Sequence, residues 1–357
     1  MDELRAEFPV FERLAYLNAG SNGPVPLRAV EAATAALREQ ADSGRAGAGF
    51  FDAVTVTGDA LRGRVAALLG CGADELALMG STTDGVNAAL VALDLREGDE
   101  VLTSDEEHPD LLAPLAVARQ RRGLRVRVAP FAGLADAVSE DTKLIACSHV
   151  SWLNGQVVDS PALAATGARL LLDGAQGLGA MPVDVKELGC DFYAATGQKW
   201  LCGPNGLGYL YVRGELLPEL LPAWPGYMSL SEPGRPLDLE LRPEARRFDM
   251  AAPAPHQYAW ALAALDVLEA PGIDRVHAES AERAERLAVA LADAGRAIAP
   301  RGRTTLVSWE DPDPPAAAER LLDQDIAVRH LPGTPYVRAS VGGWTSEAEI
   351  ERLLAAL

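Results

Sequence analysis

Two charged residues of this 357-residue chain stand in surroundings that suit buried chemistry. Asp173 follows three leucines in "LLLDGAQGLGA", and Lys199 lies one helix and one strand further on, in "TGQKWLCGPNGLG". A carboxylate at the end of a buried strand needs a partner, because an unpaired buried charge is costly. The protonated nitrogen of a bound heterocycle would satisfy Asp173, whereas no His/Asp/Glu cluster at metal spacing surrounds it. We predict no metal site and expect both residues on one rim of a sheet, with Lys199 a solvated charge, a phosphate clamp or a covalent catalyst.

Two further motifs follow predicted strands. Thr82 and Thr83, in "GSTTDGVN", begin a predicted helix, where free N–H groups and hydroxyls suit a phosphate, although ordinary helix capping explains them equally well. His108, in "DEEHPD", could stack on a flat cofactor lying over the sheet or project into solvent. Taken alone, the threonine motif leaves its two alternatives open, and the histidine motif favours projection into solvent.

The elements that must position these residues alternate in type along the chain. Helical periodicity marks residues 59–70, 82–93 and 109–123, and apolar runs mark strands at 75–80, 100–105, 142–150, 168–175 and 191–196. This alternation predicts an α/β fold with a mostly parallel sheet, whose ligand site lies beyond the carboxyl ends of the strands. The Pro-rich segment 215–236 predicts an ordered loop, and the elements after residue 256 suggest a small α+β domain.

Composition excludes several functions. The formal charge of −19 repels nucleic acid and anionic membrane surfaces. The acidic N-terminus lacks the features of a signal peptide, and no apolar run approaches the roughly 20 residues of a membrane span. The four cysteines form no CxxC pair, so we expect a cytoplasmic protein in a reducing compartment.

Taken together, the motifs resemble the class V aminotransferase family of pyridoxal-phosphate (PLP) enzymes, of fold type I, which includes cysteine desulfurases and carbon–sulfur lyases. The resemblance extends from "YLNAGSNGPVP" through the motifs above and "SHVSWLNGQVV" to "YVRASVGGW". It implies a large domain with a mostly parallel seven-stranded sheet and a smaller α+β C-terminal domain. The implied divisions are residues 1–15, packing with the small domain, residues 16–255, binding PLP, and residues 256–357. A homodimer is implied by the same resemblance.

The resemblance also implies a role for each motif residue. Lys199 would form the Schiff base with PLP, Asp173 would pair with the ring nitrogen, and His108 would stack over the ring. The remaining cofactor contacts would be Gln176 to the ring hydroxyl and, at the phosphate, Thr82, Thr83, Thr196 and Gln198. The substrate carboxylate would bind Arg338, bordered by Asn18, Ala19 and Gly20.

Three departures from the family pattern bear on the reaction. Desulfurases carry a nucleophilic cysteine before the C-terminal arginine, but here residues 330–336 are "HLPGTPY", and Cys202 is expected to be a packed small residue. Trp152 replaces the usual Asn, as in cystine lyase and sulfoxide lyase branches. Ala251 and Ala252 stand where the family often has a Gly-Thr pair that reaches the phosphate of the partner subunit.

These features predict a PLP-dependent carbon–sulfur β-lyase acting on a cysteine-like amino acid. A class V aminotransferase is the second hypothesis, an epimerase the third, and a non-catalytic PLP-binding sensor the alternative from another class. No helix-turn-helix segment or basic face supports the sensor. Substrate specificity is expected in residues 216–247 and around Gly49, Phe50 and Phe51.

Overall fold

The computed structural model describes residues 1–249 and 254–357. Its α-helices are Asp2–Ala6 (α1), Leu27–Ser43 (α2), Ala48–Leu68 (α3), Thr82–Ala92 (α4), Pro109–Arg122 (α5), Ser160–Ala164 (α6), Val185–Leu188 (α7), Pro255–Glu269 (α8), Ile273–Asp293 (α9), Pro314–Leu322 (α10) and Glu347–Ala356 (α11). Its strands are Ala15–Tyr16 (β1), Leu76–Met79 (β2), Glu100–Ser104 (β3), Arg125–Ala129 (β4), Thr142–Ser148 (β5), Arg169–Asp173 (β6), Phe192–Thr196 (β7), Gly208–Val212 (β8), Leu306–Glu310 (β9), Ile326–Ala327 (β10), Arg329–His330 (β11) and Tyr336–Ser340 (β12).

A seven-stranded sheet organises the first two thirds of the chain, in the order β2-β8-β7-β6-β5-β3-β4. Only β8 runs against its neighbours, since it pairs antiparallel with both β2 and β7. The predicted mostly parallel seven-stranded sheet is confirmed. Because β2, β3, β5, β6 and β7 run in one direction, their carboxyl ends share one rim, and the residues that follow them meet there.

Both faces of this sheet are buried. Leu171 and Phe192 belong to the core on one face, and Leu172 and Tyr193 belong to the core on the other. A strand covered on both sides needs apolar residues at every position, which explains the continuous apolar runs in the sequence. Within the described residues, no helix combines the length and apolarity needed to cross a membrane.

Smaller sheets form near the C-terminus. Strands β11, β12 and β9 make an antiparallel sheet, and β1 from the N-terminus pairs in parallel with β10. Arg5 also donates to the carboxylate of Glu349 at 2.6 Å, which ties α1 to α11. Helix α11 begins with a capping box formed by Ser346 and Glu349. The division at residues 15 and 255 remains a proposal, since α8 also packs against α2 and α3.

Candidate active site

A cavity opens on the rim where the parallel strands end, at the place where α/β sheets bind their ligands. All eight residues that the resemblance assigns to the cofactor line it, namely Thr82, Thr83, His108, Asp173, Gln176, Thr196, Gln198 and Lys199. The structure therefore brings together residues that lie up to 117 positions apart in the sequence.

One end of the cavity is the N-terminus of α4. The hydroxyl of Ser81 caps this helix by accepting a hydrogen bond from the N–H of Asp84 at 3.1 Å. The first N–H groups of a helix have no intrahelical acceptor, so those of Thr82 and Thr83 are available to an anion. The hydroxyl of Thr82 is buried and has no hydrogen-bond partner within the described residues. This end of the cavity has the donors that a phosphate group requires.

Two glycines let the backbone approach this end closely. A Cβ atom at Gly208 would lie 2.6 Å from the carbonyl carbon of Ser81, and one at Gly85 would lie 3.0 Å from the Cβ of Ala194. The first contact brings β8 against the start of α4, and the second brings α4 against β7. Thr196, at the end of β7, donates a hydrogen bond to the side chain of Gln198 beside the same helix end.

Asp173 is buried at the end of β6. Its Oδ1 accepts the N–H of Ala175 at 2.9 Å, which bends the chain away from the strand. Burial raises the pKa of Asp173, while the charge of Lys199 and the N–H of Ala175 act in the opposite direction. A positive group in the cavity would offset the cost of this buried carboxylate.

Lys199 lies partly buried in the same cavity. Burial lowers its pKa from 10.5 to about 8, Asp173 opposes this, and Arg338 adds to it. About a tenth of the amine is therefore neutral at pH 7, far more than for a lysine with an unshifted pKa, and the neutral amine is the form that attacks an aldehyde. Because Lys199 lines the cavity, it is not a solvated charge on the protein surface.

His108 is the N-cap of α5, and its Nδ1 accepts the N–H of Asp110 at 3.2 Å. Its ring meets the ring of Trp152 edge to face, with centroids 4.8 Å apart and planes at 83°. Burial, followed by the charge of Lys199, lowers the pKa of His108 to about 4. The imidazole is therefore neutral at physiological pH and lines the cavity rather than projecting into solvent.

Gln176 is held by two hydrogen bonds. Its Oε1 accepts the indole N–H of Trp200 at 2.9 Å, and its Nε2 donates to the carbonyl of Gly20 at 2.8 Å. An amide nitrogen carries two hydrogens, so one remains for a ligand in the cavity that Gln176 lines.

Arg338 lies buried on β12, next to the cavity rather than in its lining. Its Nη1 donates to the carbonyl of Trp152. A Cβ atom at Gly20 would lie 3.1 Å from Nη2 of Arg338, so the backbone of the loop at residues 18–20 packs directly on the guanidinium. Asn18 forms a β-bridge with Ser340 in the same place, and Ala19 is fully buried. The structure thus brings Asn18, Ala19 and Gly20 to Arg338, as expected.

A second guanidinium, not singled out from the sequence, lies beside Arg338. Arg329 pairs with Arg338 across β11 and β12 and is exposed. Burial lowers the pKa of Arg338 to about 9, and Arg329 contributes in the same direction. The charge of Arg329 also lowers the pKa values of His108 and Lys199. The charges of both arginines therefore act on the titratable residues of the site.

Some residues that line the cavity belong to no recognisable sequence motif and were not predicted. Ser148 ends β5 and is in register with Asp173. Its position after an apolar run is the one feature of the sequence that could have identified it. The carboxylate of Glu107 accepts the hydroxyl of Ser148 at 2.6 Å and its N–H at 2.8 Å. Burial raises the pKa of Glu107 to about 7. The other lining residues that were not assigned a role are Ser81, Asp110, Val150 and Ala175.

The cysteines stand outside this cavity. Cys202 is buried in the turn after Lys199, in a left-handed backbone conformation with φ of 53°, and burial raises the pKa of its thiol. Burial likewise raises the pKa of Cys71 to about 12 and those of Cys147 and Cys190. All four are free thiols. Ala251 and Ala252 lie outside the described residues.

The described residues fit PLP in chemical type. The unpaired hydroxyl of Thr82 at a helix N-terminus suits its phosphate, the buried Asp173 suits a protonated ring nitrogen, and Lys199 suits its aldehyde. The seven-stranded sheet with this cavity on its rim defines the class of the protein, a PLP-dependent α/β enzyme.

The chain belongs to the aminotransferase class-V family, whose model matches residues 15–353. It is 31% identical over 304 residues to a probable cysteine desulfurase of Methanothermobacter thermautotrophicus, covering 80% of this chain and 74% of the relative. It is 32% identical over 249 residues to a cysteine desulfurase of Salmonella gallinarum, covering 63% of this chain and 61% of that relative.

Solved structures agree with this assignment. The cystine C–S lyase C-DES, in complex with its reaction product cysteine persulfide, superposes with a TM-score of 0.91 at 29% identity and 98% coverage of both chains. A lysine-to-alanine variant of C-DES, with glycine covalently linked to its PLP cofactor, gives the same values. The cysteine desulfurase of Thermococcus onnurineus gives a TM-score of 0.87 at 25% identity, covering 99% of this chain and 96% of that one.

Proposed function

We propose that this enzyme is a carbon–sulfur β-lyase that cleaves cystine or a related cysteine derivative. The observation that carries the proposal is the pairing of Arg329 with Arg338 on strands beside a PLP cavity whose described lining has no thiol. A desulfurase reaction needs a cysteine that accepts sulfur, and residues 330–336 contain none. The structural similarity to the cystine lyase C-DES also supports a lyase function.

The substrate would be oriented by its charged groups. Arg338, buried and fixed by the carbonyl of Trp152, offers its remaining guanidinium N–H groups to the α-carboxylate. Cystine carries a second carboxylate beyond the disulfide, and the exposed guanidinium of Arg329 is the available partner for it. A cysteine molecule has no such distal charge, so Arg329 favours the larger substrate.

PLP, held by Lys199, would supply an electron sink for the charge that develops at the substrate α-carbon. Asp173 would hold a proton on the ring nitrogen and thereby sustain this sink. Thr82, Thr83, Thr196 and Gln198 would bind the phosphate.

The amine of Lys199, once the substrate has displaced it, would remove the α-proton, and its pKa of about 8 suits a base at neutral pH. The bond between the β-carbon and sulfur would then break, the sulfur group would leave as a persulfide when the substrate is cystine, and water would convert the remaining fragment to pyruvate and ammonia. Return of the same proton to the cofactor would give transamination, the outcome expected of the aminotransferase alternative. His108, a neutral imidazole in the cavity lining, would obstruct the delivery of a proton from the side opposite Lys199, which disfavours epimerisation.

Product analysis tests this proposal. Purified holoenzyme given cystine should release pyruvate, measured with lactate dehydrogenase, and an added keto acid should gain no amino group. Amination of the keto acid without pyruvate release would instead establish the aminotransferase. Borohydride reduction followed by peptide mapping should label Lys199, and a label on another lysine would disprove the assignment. The homodimer and the cytoplasmic location remain predictions, the first of which analytical ultracentrifugation can check.

A further inference from the structure

A chain of hydrogen bonds connects the residue after the lysine to the loop beside Arg338. Trp200 donates to Oε1 of Gln176 at 2.9 Å, and Nε2 of Gln176 donates to the carbonyl of Gly20 at 2.8 Å. Trp200 and Gln176 are only 1% and 4% exposed, so water does not compete for these bonds. The bonds join three segments that lie far apart in the sequence.

These two partners fix the orientation of the Gln176 amide. An indole N–H can only donate and a backbone carbonyl can only accept, so the amide oxygen faces Trp200 and the nitrogen faces Gly20. The second hydrogen on Nε2 is then the group that Gln176 can offer to the cavity. Without the indole N–H, the amide oxygen would be buried without a partner, and the amide would be free to adopt other orientations.

The loop at residues 18–23 is held at a second point by the same turn. The N–H of Gly23 donates to the carbonyl of Gln198 at 2.7 Å, and a Cβ atom at Gly23 would lie 2.0 Å from the carbonyl oxygen of Lys199. Gly20 in turn packs on the guanidinium of Arg338. The position of this loop, and with it one wall of the carboxylate site, therefore depends on residues 176 and 198–200.

We propose that Trp200 is a positioning residue that fixes the amide of Gln176, so that Gln176 offers one N–H to the bound cofactor and holds Gly20 beside Arg338 with the other. The inference rests on the proposed function in one respect, which is that PLP occupies the cavity. It assigns Trp200 no contact with the substrate. It predicts that one indole N–H affects both the pH midpoint of the absorbance of bound PLP and the affinity for the amino acid.

Trp200→Phe removes the N–H and keeps most of the ring volume. The first measurement is the pH midpoint of the absorbance change of bound PLP, recorded without substrate. A donor at the ring oxygen makes the linked nitrogen of Lys199 less basic, so its loss should move the midpoint upward by roughly half a unit to one unit. The second is steady-state kinetics, where KM should rise roughly threefold to tenfold with a smaller change in kcat.

Trp260→Phe is the matched control. The indole of Trp260 donates to the carbonyl of Cys202 at 3.0 Å, so this variant also loses one indole hydrogen bond at the same turn. It does not touch Gln176, and its midpoint and KM should equal those of the wild type. Equal behaviour of the two Phe variants would overturn the inference.

Gln176→Met provides a second arm, which leaves the inference open to refutation even if Trp200→Phe does not fold. It should raise both the midpoint and KM. The double variant of Trp200→Phe and Gln176→Met should show no further shift, because both substitutions remove the same hydrogen bond from Gln176 to the cofactor. An unshifted midpoint in Gln176→Met, or additive shifts, would overturn the inference. Wild-type protein without PLP on Lys199 would disprove the proposed function as well, whereas normal PLP binding with unshifted variants would disprove this inference alone.

Discussion

Lys199 should reduce the stability of the apoprotein, because the fold lowers its pKa from 10.5 to about 8. One pKa unit corresponds to about 1.36 kcal/mol, so burying the protonated amine costs roughly 3 kcal/mol at pH 7. Lys199→Met keeps the length of the side chain and removes the charge. The apo variant should therefore be about 3 kcal/mol more stable than apo wild type at pH 7.

The pH dependence gives this prediction its sign. Between pH 8 and 10.5 the unfolded chain binds more protons at Lys199 than the folded one, so the stability of the wild type rises with pH in that window. The advantage of Lys199→Met should accordingly fall to below about 1 kcal/mol near pH 10. Urea unfolding of both apoproteins at pH 7 and pH 10 measures the difference.

Lys143→Met controls for the loss of one positive charge, because Lys143 is exposed on β5. It should reproduce neither the gain at pH 7 nor its disappearance at pH 10. A Lys199→Met protein that is less stable than wild type at pH 7, or equally more stable at both pH values, would refute the reasoning.

Three further outcomes are expected. Asp173→Asn should keep PLP bound but lower turnover by roughly 100-fold or more, since the ring nitrogen loses its anionic partner; absorbance spectra and pyruvate release separate the two effects. Arg338→Lys should raise KM for the amino acid by at least about tenfold, because an ammonium cannot grip a carboxylate in bidentate geometry, and an unchanged KM would contradict that role. Thr82→Val should weaken PLP binding in equilibrium dialysis without destabilising the apoprotein, because the hydroxyl it removes is buried and unpaired.

The sequence was most informative where a buried run ends in a polar residue. The runs before Asp173 and Thr196 are covered on both faces, so their apolar character is continuous and their ends are sharp. The helices at 82–93 and 109–123 were predicted within one residue at each end, because Ser81 and His108 supply caps and Gly123 ends α5 in a left-handed conformation.

Two strands of the large sheet were not predicted from the sequence, for two different reasons. Strand β4, "RVRVA", lies at the sheet edge, where charged side chains reach solvent and hide the apolar signal. Strand β8, "GYLYV", follows the glycine turn after Lys199, and its antiparallel insertion between β2 and β7 depends on long-range pairing. Arg329 escaped notice because its significance comes from its register with Arg338, which no local pattern encodes.

The insertion of β8 also sets an order of events during synthesis. Strand β2 is complete at residue 79, but its partner β8 emerges only with residues 208–212. The end of α4 that lines the cavity follows directly from β2, so the phosphate end of the pocket stays unassembled until more than half of the chain has been made. Lys199 precedes β8 in the chain, so it is already synthesised when the phosphate end of the pocket can form, and strand pairing over such a sequence distance is intrinsically slow.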